Sequence, residues 1–266
     1  MPPTRARDEG RIRLLPRFSS RYLSTARDLI VYLPPGYHNS TDRYPILYLQ
    51  DGQNLFDPAT AFAGQDWRAD ATADDLIGRR LIEPIIIVGI YNTGMRRISE
   101  YTPTRDPRRR KGGKGDRYAM MIAREVKPFI DAAFRTRRSA AHTGIGGSSL
   151  GGLVSLEAGL LYPRVFSKLA VLSPSVWWDR HSILKMVEGY RFPQRPRIWL
   201  DAGTAEGDHP DLVIADLRKL CGALVDKGWR EGIDLAYSEA SGAGHDESAW
   251  AARFGPVLQY LFPAVS

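Results

Sequence analysis

The stretch Thr143-Gly144-Ile145-Gly146-Gly147-Ser148-Ser149-Leu150-Gly151-Gly152 limits what this chain can fold into more than any other. A segment that can serve as a strand precedes it, and Leu150 to Tyr162 reads as a helix that Pro163 stops. Strand, tight glycine turn and helix are the setting in which a G-x-S-x-G match, here Gly147-Ser148-Ser149-Leu150-Gly151, lifts its central Ser149 above a sheet edge. The flanking glycines fit a strained, crowded turn in which a Cβ would clash. A glycine-rich loop before a helix can also cradle a phosphate. The companions that a serine nucleophile requires therefore decide between the two readings.

The rest of the chain alternates strand and helix patterns. Arg11 to Phe18 and Tyr22 to Leu33 read as an antiparallel pair ending at the turn Leu33-Pro34-Pro35-Gly36-Tyr37. Tyr44 to Gln50 is a short apolar strand, and Ile85 to Ile90 is a β-branched run of the kind buried on both faces of a parallel sheet. Further strands are expected at Lys168 to Leu172, Arg197 to Ala202 and Ile233 to Ser238. Helices are expected at Ala69 to Arg80, Tyr118 to Phe134 (broken near Pro128), Pro210 to Lys227 and Asp246 to Leu261, with a loop-rich region from Asn92 to Asp116. This pattern is α/β with a mostly parallel central sheet, helices on both faces and an antiparallel N-terminal hairpin. Its 266 residues suit one domain, with residues 1–10 as a flexible arm.

Composition excludes several classes. Hydrophobic and charged fractions of 43% and 25% are those of a globular protein. No apolar run is long enough for a membrane span, and the polar start lacks the apolar core of a signal peptide, so a cytoplasmic location is expected. Cys221 is the single cysteine, which rules out an intrachain disulfide and reads as a small core residue. The net charge of +7 gathers in the N-terminal arm (Arg5, Arg7, Arg11, Arg13, Arg17) and in Arg105 to Arg117. No aromatics interleave with the second cluster and no nucleic-acid motif accompanies it, so it reads as a solvated loop or one that attracts an anionic substrate. Neither an H-E-x-x-H nor a cysteine cluster points to a metal, and no cofactor is expected.

A serine hydroxyl needs a base, and the base a carboxylate to orient it. On an elbow-type fold these follow in the order serine, acid, histidine. Of His181, His209 and His245, only His245 sits in a small-residue loop between the last strand and last helix, where its ring can reach over the sheet edge. The other two stand at helix starts, as surface or capping residues. The acid belongs after the penultimate strand, where Glu206 and Asp208 both lie. Spacing slightly favours Glu206, while Asp208 could instead cap the helix that begins near Pro210. An oxyanion hole needs two N–H groups aimed at one point. Leu150 follows the nucleophile, and the turn Asp51-Gly52-Gln53 after an early strand offers Gln53, or less readily Asn54. Trp177 and Trp178 follow a strand end and Trp67 follows the oxyanion turn. At least one is expected to line the substrate pocket, the other possibility being that they anchor loops.

Several segments together resemble the "Putative esterase" group of the α/β-hydrolase superfamily, which includes esterase D, siderophore esterases, feruloyl and acetyl-xylan esterases and mycolyltransferases. They are Tyr32 to Tyr37, Tyr44 to Asn54, Gly146 to Gly152, Ser173-Pro174-Ser175 and Gly242 to Asp246. The resemblance implies Ser149 as nucleophile, His245 as base and Glu206 as acid, since Gly203-Thr204-Ala205-Glu206 matches the acid-bearing segment, with Gln53 and Leu150 at the oxyanion. Arg97 to Pro103 is similar to a segment of the siderophore-esterase-like branch, and its Tyr101 is expected at the pocket. The implied activity is hydrolysis of a small-molecule ester by an acyl-enzyme mechanism. An acyltransferase of the same fold, or a non-catalytic binding protein using the basic 105–117 loop, are the alternatives. An S-x-x-K match at Ser182 to Lys185 has no companion motif.

Overall fold

The computed structural model describes residues 11–264, so the expected arm at residues 1–10, with Arg5 and Arg7, lies outside them. The strands are β1 Ile12–Phe18, β2 Arg27–Tyr32, β3 Ile46–Gln50, β4 Ile86–Ile90, β5 Arg105–Asp106, β6 Lys111–Gly112, β7 Thr143–Ser148, β8 Lys168–Leu172, β9 Arg197–Gly203 and β10 Leu235–Ala240. Eight of them form one sheet in the order β1-β2-β4-β3-β7-β8-β9-β10, and β5 pairs with β6 alone. β1 with β2 and β2 with β4 run antiparallel, and every other neighbour in the large sheet is parallel. This is the expected α/β-hydrolase arrangement, hairpin included.

The period-2 alternation of the strands divides the core. Ile46 and Tyr48 of β3 belong to one cluster and Leu47 and Leu49 to the other. Helices α1 Ala69–Gly78 and α8 Glu247–Leu261 pack on the second face, through Leu76 and Phe254 among others. Helices α3 Gly115–Met121, α5 Leu150–Leu161, α6 Ser182–Glu188 and α7 Pro210–Asp226 cover the first face. β3 and β4 are buried along their whole length, and their side chains are apolar apart from Tyr48 and from Gln50, whose amide donates to Ser155 and accepts from Tyr118. Among the described residues no helix is long and apolar enough to cross a membrane.

The break expected at Pro128 is a π-turn. Ile122–Val126 is a π-helical turn between α3 and α4 Lys127–Ala133, just before Pro128, where the wider turn accommodates a ring that has no N–H to donate. Three expectations need correction. β2 begins at Arg27 rather than Tyr22, because Ser20 and Arg21 hydrogen-bond to Glu125 and hold that stretch away from the sheet. The span 92–116 holds α2 Arg97–Glu100 and the β5/β6 hairpin, whose turn is closed by Asp106 accepting from Arg108 N at 2.8 Å and Arg109 N at 3.1 Å. Finally, β10 starts at Leu235, since the amides of Ile233, Asp234 and Leu235 all bond to Arg230 O in a tight turn.

Candidate active site

Parallel strands deliver their carboxyl ends to one edge of the sheet, and the crevice outside that edge collects the loops. At the end of β7, Ser149 adopts φ 57° and ψ −124°, a backbone state that a non-glycine residue holds only under constraint. The constraint is visible: Ser149 N donates to Leu172 O (3.0 Å), and Ser149 O accepts from Leu153 N and Ser175 N (3.1 and 3.2 Å). The neighbouring glycines are required by contact. A Cβ on Gly147 would lie 2.9 Å from the Gln50 side chain, and one on Gly152 would lie 2.8 Å from Leu172 O. Leu150 opens α5, so its N–H is among the donors that a helix start leaves unpaired, at the positive end of the helix dipole.

Three sequence-predicted residues meet here. His245 Nε2 lies 3.0 Å from Ser149 Oγ, and His245 Nδ1 lies 2.7 Å from Glu206 Oε2. Glu206 is buried in the loop after β9, where its Oε1 accepts from Gly203 N (2.6 Å) and Ser173 Oγ (2.5 Å). Burial alone would raise its pKa, but the hydrogen bonds from His245, Ser173 and Gly203 outweigh it and hold the carboxyl below its usual range. An ionised Glu206 selects the tautomer with the proton on Nδ1, leaving Nε2 free to face the serine. Asp208 is exposed, and the helix it was expected to cap has His209 at its N-cap with no side-chain cap bond. His181 stands at the start of α6 and contacts Asp216 at 2.8 Å.

Behind the relay lies a shell that sequence reasoning missed. Ser173 Oγ accepts from Trp250 Nε1 (3.0 Å) and Arg253 Nη2 (2.8 Å) while donating to Glu206. The Trp250 ring meets the His245 ring edge-on at 5.0 Å. Trp250 and Arg253 are three apart on α8 and so share a face, a signal available from the helical pattern once His245 is placed just before it.

The turn after β3 occupies the opposite side. Gln53 lies in the 3-10 turn Gly52–Asn54 and faces, with Ser149, a cleft of about 410 Å³. Asn54, Phe62, Asn92, Arg97 and Trp250 also line it, as do Asp51, His245 and Glu247. Phe62 is 74% exposed at its rim. Glu247 accepts from Asn54 Nδ2 at 3.1 Å, and burial, reinforced by the Asp51 and Asp246 charges, raises its pKa. Arg97 and Asn92, both bonded to Asp51, were not singled out as site residues.

Three aromatic expectations are corrected. Trp67 is a core residue against Trp250 and Phe254, with ring distances of 6.2 and 5.6 Å. Tyr101 is fully buried behind the turn and accepts from Asp51 N through its hydroxyl (3.3 Å). Trp178 anchors the basic hairpin by donating Nε1 to Thr104 O at 2.9 Å. All three lie in loops at the carboxyl edge of the sheet, but their side chains are buried. Trp177 differs, being 45% exposed with the Arg109 guanidinium 4.8 Å from its ring centre, in a groove that it forms with the basic hairpin.

Residues 20–261 match the family model described as "Putative esterase". The chain is a member of that family. This esterase is 25% identical over 252 residues to YbbA of Bacillus subtilis, covering 91% of this chain and 95% of that one. It is 29% identical over 223 residues to the ferri-bacillibactin esterase BesA of the same organism, covering 76% and 73% of the two chains. Among solved structures, the BES protein from Bacillus cereus superposes with a TM-score of 0.73 over 95% of each chain at 20% identity, a likeness of fold. The esterase is therefore a carboxylic-ester hydrolase built on the α/β-hydrolase fold.

Proposed function

We propose that this esterase cleaves its substrate in two steps through an acyl-enzyme, with Ser149, His245 and Glu206 as nucleophile, base and acid. The supporting observation is the unbroken relay of 3.0 and 2.7 Å from Ser149 Oγ through the His245 ring to Glu206. As Ser149 Oγ bonds to the ester carbonyl carbon, its proton passes to His245 Nε2, and Glu206 stabilises the imidazolium. The carbonyl oxygen becomes an oxyanion held by the amides of Leu150 and Gln53. Collapse of this intermediate breaks the carbon–oxygen bond to the alcohol, which leaves with the proton from Nε2. A water then repeats the sequence on the acyl-enzyme and releases the acid.

Hydrolysis of p-nitrophenyl acetate that vanishes in Ser149→Ala tests the assignment, and unchanged turnover in that variant would end it. BesA is named for a siderophore ester, and the cleft's Gln53, Asn54 and Asn92 suit a hydrogen-bonding ester better than a long alkyl chain. A panel spanning alkyl esters of increasing length and siderophore lactones reads this directly. The siderophore reading fails if long alkyl esters give the highest kcat/KM. An ester product formed with an added alcohol in place of the acid would make the protein an acyltransferase.

A further inference from the structure

The residue at the head of the oxyanion turn is under strain. Asp51 is not glycine, yet it sits in the left-handed region at φ 54° and ψ 49°. Beside it Gly52 presses against β4, where a Cβ would come 2.5 Å from Gly89 C, so the turn cannot shift inward. The Asp51 carboxylate is buried and takes three strong bonds. Arg97 Nε and Nη2 donate to its two oxygens at 2.7 Å each, and Asn92 Nδ2 donates at 2.7 Å. Asn92 also donates its backbone N–H to the Gln53 side chain at 3.3 Å. The Arg97 guanidinium is held in turn over the Tyr101 ring, 5.1 Å from its centre, and Tyr101 OH receives Asp51 N. The same carboxylate overhangs the nucleophile helix, since a Cβ on Gly151 would lie 3.3 Å from Asp51 Oδ2.

We propose that Arg97 is a positioning residue for ester hydrolysis, holding the Asp51-Gly52-Gln53 turn through Asp51 and neutralising the carboxylate that this turn places beside the start of α5. The inference rests on the acyl-enzyme reading of Ser149. Its physical basis is twofold. A bidentate guanidinium fork fixes a carboxylate in both distance and plane, which a single point charge does not. A bare carboxylate on the turn would also oppose the negative charge that develops on the carbonyl oxygen. Both effects act on the transition state far more than on the neutral ester, so they belong in kcat rather than KM.

Wild type and Ser149→Ala are assayed first on p-nitrophenyl acetate. Turnover in the wild type that is lost in Ser149→Ala secures the acyl-enzyme reading, and the Arg97 variants then bear on Arg97 alone. Arg97→Met should lower kcat by about 10²–10³-fold, the scale of losing one oxyanion donor, with KM within about threefold. Asp51→Asn placed in the Arg97→Met background should return at least about tenfold of that loss, because the stranded carboxylate is gone. A purely structural ion pair would instead show its loss and recovery in the melting temperature, with kcat of the folded enzyme little changed in either variant. Ethylguanidinium added to Arg97→Met should likewise restore turnover in a saturable way. Unchanged kcat in Arg97→Met, a loss confined to KM, or a double variant no better than the single one overturns the proposal. Should Arg97→Met fail to fold, Arg97→Lys decides, since it keeps the charge without the fork. The proposal requires it to lose at least about tenfold in kcat with KM held, and wild-type kcat would overturn it.

Discussion

At the scale of single residues, chemistry at this site is set by who orients whom. Ser149 is held by main-chain bonds on both sides of a strained φ, so replacing its side chain should leave the turn intact. Ser149→Ala is expected to fold with an unchanged melting curve while kcat on p-nitrophenyl acetate falls by about four orders of magnitude or more. Glu206 and Asp208 are two residues apart and chemically alike, but only Glu206 reaches His245. Glu206→Gln should therefore cost about 10³–10⁴-fold in kcat, whereas Asp208→Asn should leave it within a factor of two or so. Equal losses in the two variants would overturn the assignment. Ser173 stands one step back: it ties Glu206 to Trp250 and Arg253, so the ring plane of His245 depends on α8 as well as on its own loop.

At the scale of elements, the meeting of β7, β3 and α5 leaves no room for a methyl group. Gly147→Ala places a carbon 2.9 Å from Gln50, and a loss of about 1–3 kcal/mol in urea unfolding is expected, with activity falling further than stability. This crowding explains what the sequence disclosed and what it hid. The β-branched run of β4 and the amphipathic α7 are read easily because burial on known faces dictates their composition. β7 is harder, since glycines that are poor strand formers occupy a central strand for the sake of close packing. A Cβ on Gly146 would meet Ala170 Cβ at 2.4 Å. α2 and α6 are too short for periodicity to show. Ser149 and His245, proposed as nucleophile and base, stood out because turn chemistry and chain order confine each to one loop, whereas spacing only slightly favoured Glu206 over Asp208 and the resemblance to the esterase group chose between them. Arg97 and Asn92 did not stand out, because their bonds to Asp51 cross 46 and 41 residues and nothing local marks them. Trp67 and Trp178 turn out buried, the loop-anchoring alternative, because sequence position locates a loop and not the direction of its side chains.

At the scale of the whole molecule, a buried ion pair and a buried carboxyl group bear on stability. Arg27 of β2 and Glu100 of α2 pair at 3.1 Å with almost no exposure, joining the N-terminal hairpin to the short helix that Arg97 opens. Arg27→Met strands the carboxylate and should cost about 3–5 kcal/mol, measurable as a lower Tm. Glu157 of α5 is buried with Oε2 lacking a hydrogen-bond partner, and burial, with the Asp116 charge added, raises its pKa from 4.5 to about 8. The folded chain therefore keeps a proton that the unfolded chain releases, and stability should fall as pH rises from 4.5 towards 8 and then level off. Glu157→Gln should flatten that slope, melting close to wild type near the acid end and above it at the alkaline end. The relay itself spans the chain, with 96 residues from Ser149 to His245 and 39 from Glu206 to His245, and α8 must pack before the histidine ring is backed by Trp250. A polypeptide emerging from the ribosome is therefore expected to stay inert towards esters until α8, which ends at Leu261, can pack. Recovered turnover during refolding should lag the return of helical signal, timing the last joint to close.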